Sequence, residues 1–172
     1  MDRWVKRGRI LQLRRGVYAI AAPYAKATVH PFQAANALKK ASYVSLQSAL
    51  SHYGMIPEHV PEITSVTTGR PEEIDTPIGR FWFRHVSARF FFGYYELGVA
   101  SAQTSLIATP QKALLDLLYL TPGSDDDGFL SELRLDFPED YDFSVLVQMA
   151  DRSGSPKLRR AAACLIKMYA GG

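Results

Sequence analysis

The run ASYVSLQSALSHYGMIP, residues 41–57, constrains the fold most, because helix signals mark both of its ends. Ser45 is placed to cap a helix start, its hydroxyl accepting from an otherwise orphan backbone N–H. Leu46, Ala49, Leu50 and Tyr53 recur at helical spacing and give one apolar face. Gly54 can take the left-handed conformation past the end, and Pro57 stops any continuation. The spacing predicts one short amphipathic helix across this stretch. A basic strand-turn-strand precedes it and two β-hairpins follow, and both need a surface of this kind to pack on.

The first fifteen residues hold Arg3, Lys6, Arg7, Arg9, Arg14 and Arg15, with Asp2 as the only acid. Net charge over the whole chain is only +3, so this local clustering carries more weight than the sum. DRWVKRG has the pattern of the last turns of a helix, with Gly8 at its end. RILQL and VYAIA follow as short strands around a turn at Arg14-Arg15-Gly16. A helix leading into a basic-tipped hairpin matches the back half of a winged helix-turn-helix, in which the helix enters the major groove and the wing touches phosphate. Arg14 and Arg15 are then the wing tip. A solvated basic hairpin fits the charge pattern equally well.

Further along, a helix begins near Pro31 and ends at Lys39-Lys40. A β-branched strand spans 63–68, and Glu72–Thr76 and Arg80–Val86 flank a turn. In the second of these, Phe81, Phe83 and His85 share one face, with Arg80, Trp82 and Arg84 on the other. His85 is expected as a hydrogen-bonded core histidine. Residues 87–93 form a tight helical turn, and YYELG with QTSLIAT a second hairpin. TPQKALLDLLYL is a helix capped by Thr109 with Pro110 at its first position. Its Lys112 and Asp116 are expected to pair on the exposed side. Helices follow near 126–134, 143–152 (capped by Asp142) and 156–169 (capped by Ser155). Lys157, Arg159 and Arg160 in the first turns of the last helix oppose its dipole, which suits either an anionic neighbour or a solvated face.

Enzyme motifs are missing. There is no GxGxxG or GxxxxGK[ST] loop, no GxSxG elbow and no HExxH pair. His52 and His59 are separated by Gly54 and Pro57 and share no helical face, and no cysteine or carboxylate cluster supports them as ligands. Asp125, Asp126 and Asp127 lack the wider pattern of a calcium loop. No catalytic residue, metal ligand or cofactor is assigned. The single Cys164 rules out an internal disulfide and suits a reducing cytosol. No apolar run is long enough to span a bilayer, and MDRWVKRGR is not followed by the apolar stretch of a signal peptide.

In order, LRRGVYAI, YVSLQSALSHYGMIP, ITSVTTGRP, TPIGRFWFRHV, FFGY and IATPQKALLDLLYL resemble the AbiEi-type antitoxins of type IV toxin–antitoxin systems. The similarity runs over roughly residues 5–122. It implies a cytoplasmic bacterial or archaeal protein with an N-terminal winged helix and an α/β antitoxin domain. Such a protein represses its own operon by binding duplex DNA at promoter repeats. It also counteracts a nucleotidyltransferase toxin without forming a stable complex with it. The first two helices of a winged helix-turn-helix have no counterpart here, so duplex binding is expected where that unit is completed. The expected architecture is α+β (mixed α/β). Residues 1–22 form a partial winged helix, and 25–172 an antitoxin domain with a central, mainly antiparallel sheet flanked by helices. Arg3, Lys6, Arg7, Arg9, Arg14 and Arg15 are its candidate DNA contacts. The alternatives are a protein- or RNA-interaction module without sequence-specific DNA binding, and a degenerate nuclease-like domain.

Overall fold

A six-stranded mixed sheet organises the chain, its strands running across the sheet as Glu72–Thr76, Gly79–His85, Ile63–Thr67, Ser42–Val44, Gln103–Ala108 and Tyr94–Ala100. The computed structural model describes residues 2–22, 24–25, 27–57, 61–100 and 102–170, so His59 and its pairing with His52 lie outside the described residues. At the centre, β3 (Ser42–Val44) runs antiparallel to β4 (Ile63–Thr67). Each central strand then takes a parallel neighbour, β4 with β6 (Gly79–His85) and β3 with β8 (Gln103–Ala108). Both edges are closed by antiparallel hairpin partners, β5 (Glu72–Thr76) beside β6 and β7 (Tyr94–Ala100) beside β8. The fold is mixed α+β, with helices flanking the sheet.

Strand alternation decides which side each helix takes. Tyr43 and Val66 are register partners and share one face. On that side lie α3 (Leu46–His52) and α4 (Pro110–Leu120), with α6 (Phe143–Ser153) and α7 (Pro156–Tyr169) beyond. Val44, Ser65 and Phe83 share the other face, which α2 (Pro31–Leu38) covers. Asn36 of α2 accepts from Ser105 Oγ at 2.8 Å and from the Leu106 N–H at 2.6 Å, and Lys39 Nζ stands 5.8 Å from the Phe83 ring. The alternation of buried Phe81 and Phe83 with exposed Arg80 and half-buried Trp82 and Arg84 matches the sequence pattern. At residues 88–90 a single 3-10 turn buries Phe90, and Phe92 is buried just after it.

The stretch 41–57 departs from the expected single helix. Its first part is strand β3, whose Tyr43 and Val44 are wholly buried between two neighbours, and only Leu46–His52 is helical. Ser45 occupies the N-cap position, but its hydroxyl caps nothing. The cap comes from across the sheet instead. Thr64 Oγ1 accepts from the Ser48 N–H at 3.0 Å and donates to the Ser45 carbonyl at 2.8 Å. Ser48 Oγ in turn accepts from the Thr64 N–H at 2.8 Å and donates to the Glu62 carbonyl at 3.0 Å. This reciprocal stitching over-determines the turn, and Leu46 is held there at φ 57, a left-handed conformation that side-chain-bearing residues rarely adopt.

One further expectation needs correcting. His85 is exposed at the strand end, with Nδ1 2.9 Å from the Gly69 carbonyl, rather than part of the core. The cations opening α7 already have partners within the chain. Lys157 Nζ donates to the Tyr119 and Thr121 carbonyls at the C-terminal end of α4, Arg159 pairs with Asp151 and Arg160 with Asp125. That placement satisfies orphan carbonyls and the negative end of the α4 dipole. Among the described residues, no helix is long and apolar enough to cross a membrane.

Candidate nucleic-acid interface

The N-terminal unit is built from α1 (Asp2–Lys6) and the hairpin of β1 (Ile10–Arg14) with β2 (Val17–Ile20). Gly8 at φ 67 lets the chain reverse between helix and strand. Main-chain bonds then fix the pieces together. The Arg9 N–H donates to the Trp4 carbonyl at 3.0 Å, and the Ala21 N–H donates to the Arg9 carbonyl at 3.0 Å. The Tyr24 N–H closes onto the Ala21 carbonyl at 2.8 Å.

This unit is seated on the sheet rather than standing apart from it. Leu13 and Ala19 are buried and belong to the main hydrophobic core. Arg14 leaves the hairpin end and pairs with Glu72 of β5 at 3.0 Å, where Lys39 Nζ meets the same carboxylate oxygen at 2.6 Å. The two cations hold the Glu72 carboxyl below its ordinary range, with the Lys39 hydrogen bond the largest cause.

The six sequence-nominated cations therefore separate by geometry. Arg14 is engaged by Glu72 and lies 3.4 Å from the Leu38 carbonyl. Arg9 is half-buried, its guanidinium 5.1 Å from the Trp4 ring centre and 5.3 Å from that of Tyr24. Arg3, Lys6 and Arg7 on and just after α1, and Arg15 at the hairpin turn, are exposed and make no ion pair with a described residue. Sequence reasoning missed the aromatic component. Trp4 and Tyr24 are 47% and 56% exposed, and the legible signal was their interleaving with cations.

A buried charged pair lies elsewhere and is closed. Lys112 and Asp116 pair inside the core, with neither side chain exposed, which overturns their expected place on the outer face of α4. Asp116 Oδ2 accepts from Ser45 Oγ at 2.7 Å and from Tyr43 OH at 3.0 Å, and Lys112 Nζ donates to Tyr43 OH at 2.8 Å. The ammonium also sits 4.2 Å from the Phe90 ring centre and 5.0 Å from that of Phe92, a cation–π cage. Burial pushes Lys112 below the usual lysine range, with Asp116 opposing, and pushes Asp116 above the usual carboxylate range, with Lys112 opposing. Burial also raises the Tyr43 phenol. A base, an acid and two hydroxyls meet here with the charged pair wholly buried, and their bonds tie β3 to α4.

One cleft of about 250 Å³ holds His30 and His52 on either side of Phe32. His30 Nδ1 accepts from the Phe32 N–H at 3.2 Å and so caps α2. Burial lowers both imidazoles below the usual histidine range, and for His30 the nearby His52 adds to this. Among the described residues, no group of three or more histidines, cysteines or carboxylates is arranged to hold a metal ion. The acidic turn is used locally, Asp126 capping α5 (Asp127–Glu132) and Asp125 pairing with Arg160. No family model and no curated protein matches the sequence.

Proposed function

We propose that the chain is an AbiEi-like antitoxin and transcriptional autorepressor of a type IV toxin–antitoxin operon. It acts in the cytoplasm, where it counteracts a nucleotidyltransferase toxin without a stable complex and binds its own promoter repeats as duplex DNA. The observation that carries this reading is the cationic surface of the N-terminal unit, seated on the α+β body, where Arg3, Lys6, Arg7 and Arg15 make no ion pair with a described residue. Arg3, Lys6, Arg7 and Arg15 supply sequence-independent phosphate contacts, and Arg14 fixes the hairpin that presents Arg15. The resemblance in the six sequence blocks supplies the antitoxin part.

The test has two arms. Anisotropy titration of promoter duplex across a salt series should give a log–log slope that flattens by about one phosphate contact for each of Arg3, Lys6, Arg7 and Arg15 changed to Ala. Co-expression of the chain with a nucleotidyltransferase toxin of the type IV class, taken from beside its gene where one is encoded there, should restore growth. An unchanged slope removes the interface, and failure to rescue removes the antitoxin role.

A further inference from the structure

We infer that the Trp4–Arg9–Tyr24 stack is a platform for unpaired bases, and that the N-terminal unit takes single-stranded nucleic acid. This rests on the reading of that unit as nucleic-acid-binding and names a ligand form beyond duplex promoter DNA. Three features meet at the stack. It is preorganised, because main-chain bonds join Trp4 to Arg9, Arg9 to Ala21 and Ala21 to Tyr24. Its rings stay open, since Trp4 and Tyr24 are about half exposed although the Arg9 guanidinium stands between 5.1 and 5.3 Å from both. Cations flank it, with Arg3 adjacent to Trp4 and Arg7 one helical turn on, neither in an ion pair with a described residue.

Beside Tyr24 a cleft of about 540 Å³ opens between the hairpin and the following segment, lined by Tyr18, Ile20, Tyr24, Ala25 and Val29. Ile20 is 57% exposed at its edge. Phosphate contact alone needs only the cations. The open ring faces and the apolar cleft gain nothing from a duplex, whose bases are already stacked and paired. They gain from a splayed base, which can stack on an aromatic face or enter the cleft while its phosphates lie along Arg3, Lys6 and Arg7.

The chain has two tryptophans, so Trp82→Phe leaves Trp4 as the sole indole reporter. The full chain carrying that change is titrated with oligothymidylate and oligouridylate of about twelve nucleotides, and with duplex DNA of the same length. Single strands should quench Trp4 emission. Read by anisotropy of end-labelled oligomers, which needs no indole, Trp4→Ala should weaken their binding about tenfold or more, with duplex affinity changed less than about twofold. Trp4→Phe should keep most of the single-strand affinity, and Tyr24→Ala should lose it. Near-UV circular dichroism of each variant checks that the core stays packed. Preference for one oligomer over the other tells DNA from RNA as the source, and either supports the platform. Binding of duplex without single strand overturns the inference and leaves the proposed function standing. Equal losses on both forms for Trp4→Ala assign Trp4 to structure and overturn it too. Absence of any binding removes both readings.

Discussion

Lys112 and Asp116 stand one turn apart on α4, and their ion pair lies wholly inside the protein, joined by Tyr43 and Ser45 from the central strand and the turn after it. Removing one charge strands the other in a medium that cannot solvate it. Asp116→Ala should therefore cost about 3–5 kcal/mol in urea unfolding. The paired change Lys112→Met with Asp116→Leu should recover most of that loss, because replacing both charges by apolar groups leaves none uncompensated. A double variant as unstable as the single one would show that packing, not charge, sets the cost.

Ser45 and Thr64 carry opposite expectations from what their positions suggest. Aspartate is normally as good an N-cap as serine. Here Ser45→Asp would set a second carboxylate against Asp116, so it should be strongly destabilising, whereas Ser45→Ala should lose about 1–2 kcal/mol. Thr64→Val removes the hydroxyl that caps α3 and should cost about 2–3 kcal/mol, through two lost hydrogen bonds. Guanidinium melts of the three variants check the order. A neutral Ser45→Asp would return the capping role to Ser45.

Glu72 should make the seating of the hairpin acid-sensitive. Its folded pKa lies below the ordinary value of 4.5, so its contribution is fully present above that value and is lost as pH falls through the folded value. The pair with Arg14 is partly exposed, which limits the effect to about 1 kcal/mol or less. Glu72→Gln should flatten the acid limb of the stability–pH curve below about pH 4.5. An unaltered limb would mean that Glu72 gains nothing from Arg14 and Lys39 in solution.

His30 predicts a separate transition nearer neutrality. Its folded pKa is lowered from 6.5, so its stabilising effect is complete above that value and declines as pH drops through the folded pKa. The mechanism is local: a protonated Nδ1 can no longer accept from the Phe32 N–H, and α2 loses its cap. His30→Asn keeps an acceptor that does not titrate, and should remove the His30 share of the pH dependence below pH 6.5, leaving the part due to His52. An identical profile for the variant would detach the cap from that titration.

Deleting residues 1–22 should leave cooperative unfolding in place, because the sheet and the helices α3 to α7 keep their mutual contacts. The midpoint should fall, since Leu13 and Ala19 leave the core and Glu72 keeps only Lys39. Leu13→Ala alone should cost about 2–4 kcal/mol. Loss of near-UV dichroism in the shortened chain would place the hairpin among the elements needed to order the core.

Much of the fold was legible where signals are local. Thr109 with Pro110, Asp142 and Ser155 with Pro156 mark helix starts that the structure keeps. Both edge hairpins follow from their turns and alternation. Strand β3 was hidden because three residues carry too little periodicity, and because the good helix former behind it lent SYV its own pattern. The burial of Lys112 and Asp116 depended on what packs around α4. A hint was present in TPQKALLDLLYL, whose few polar residues leave no wet face. The cationic unit was legible as charge. Which of its members stay free was not, because Glu72 reaches Arg14 only through the pairing of β5 with β6 and the docking of the hairpin.

The parallel joints of the sheet set an order of events for a chain emerging from the ribosome. β3 can find β4 soon after both are made, but its other side waits for β8, whose Ile107 pairs with Val44 only after both edge hairpin turns have been synthesised. Until then one flank of the central strand is an open template, carrying Tyr43 and Val44, both wholly buried in the finished fold. Nascent chains arrested before residue 103 should accordingly be the aggregation-prone species. Protection of the Val44 amide should mark the moment at which the two halves of the molecule become one.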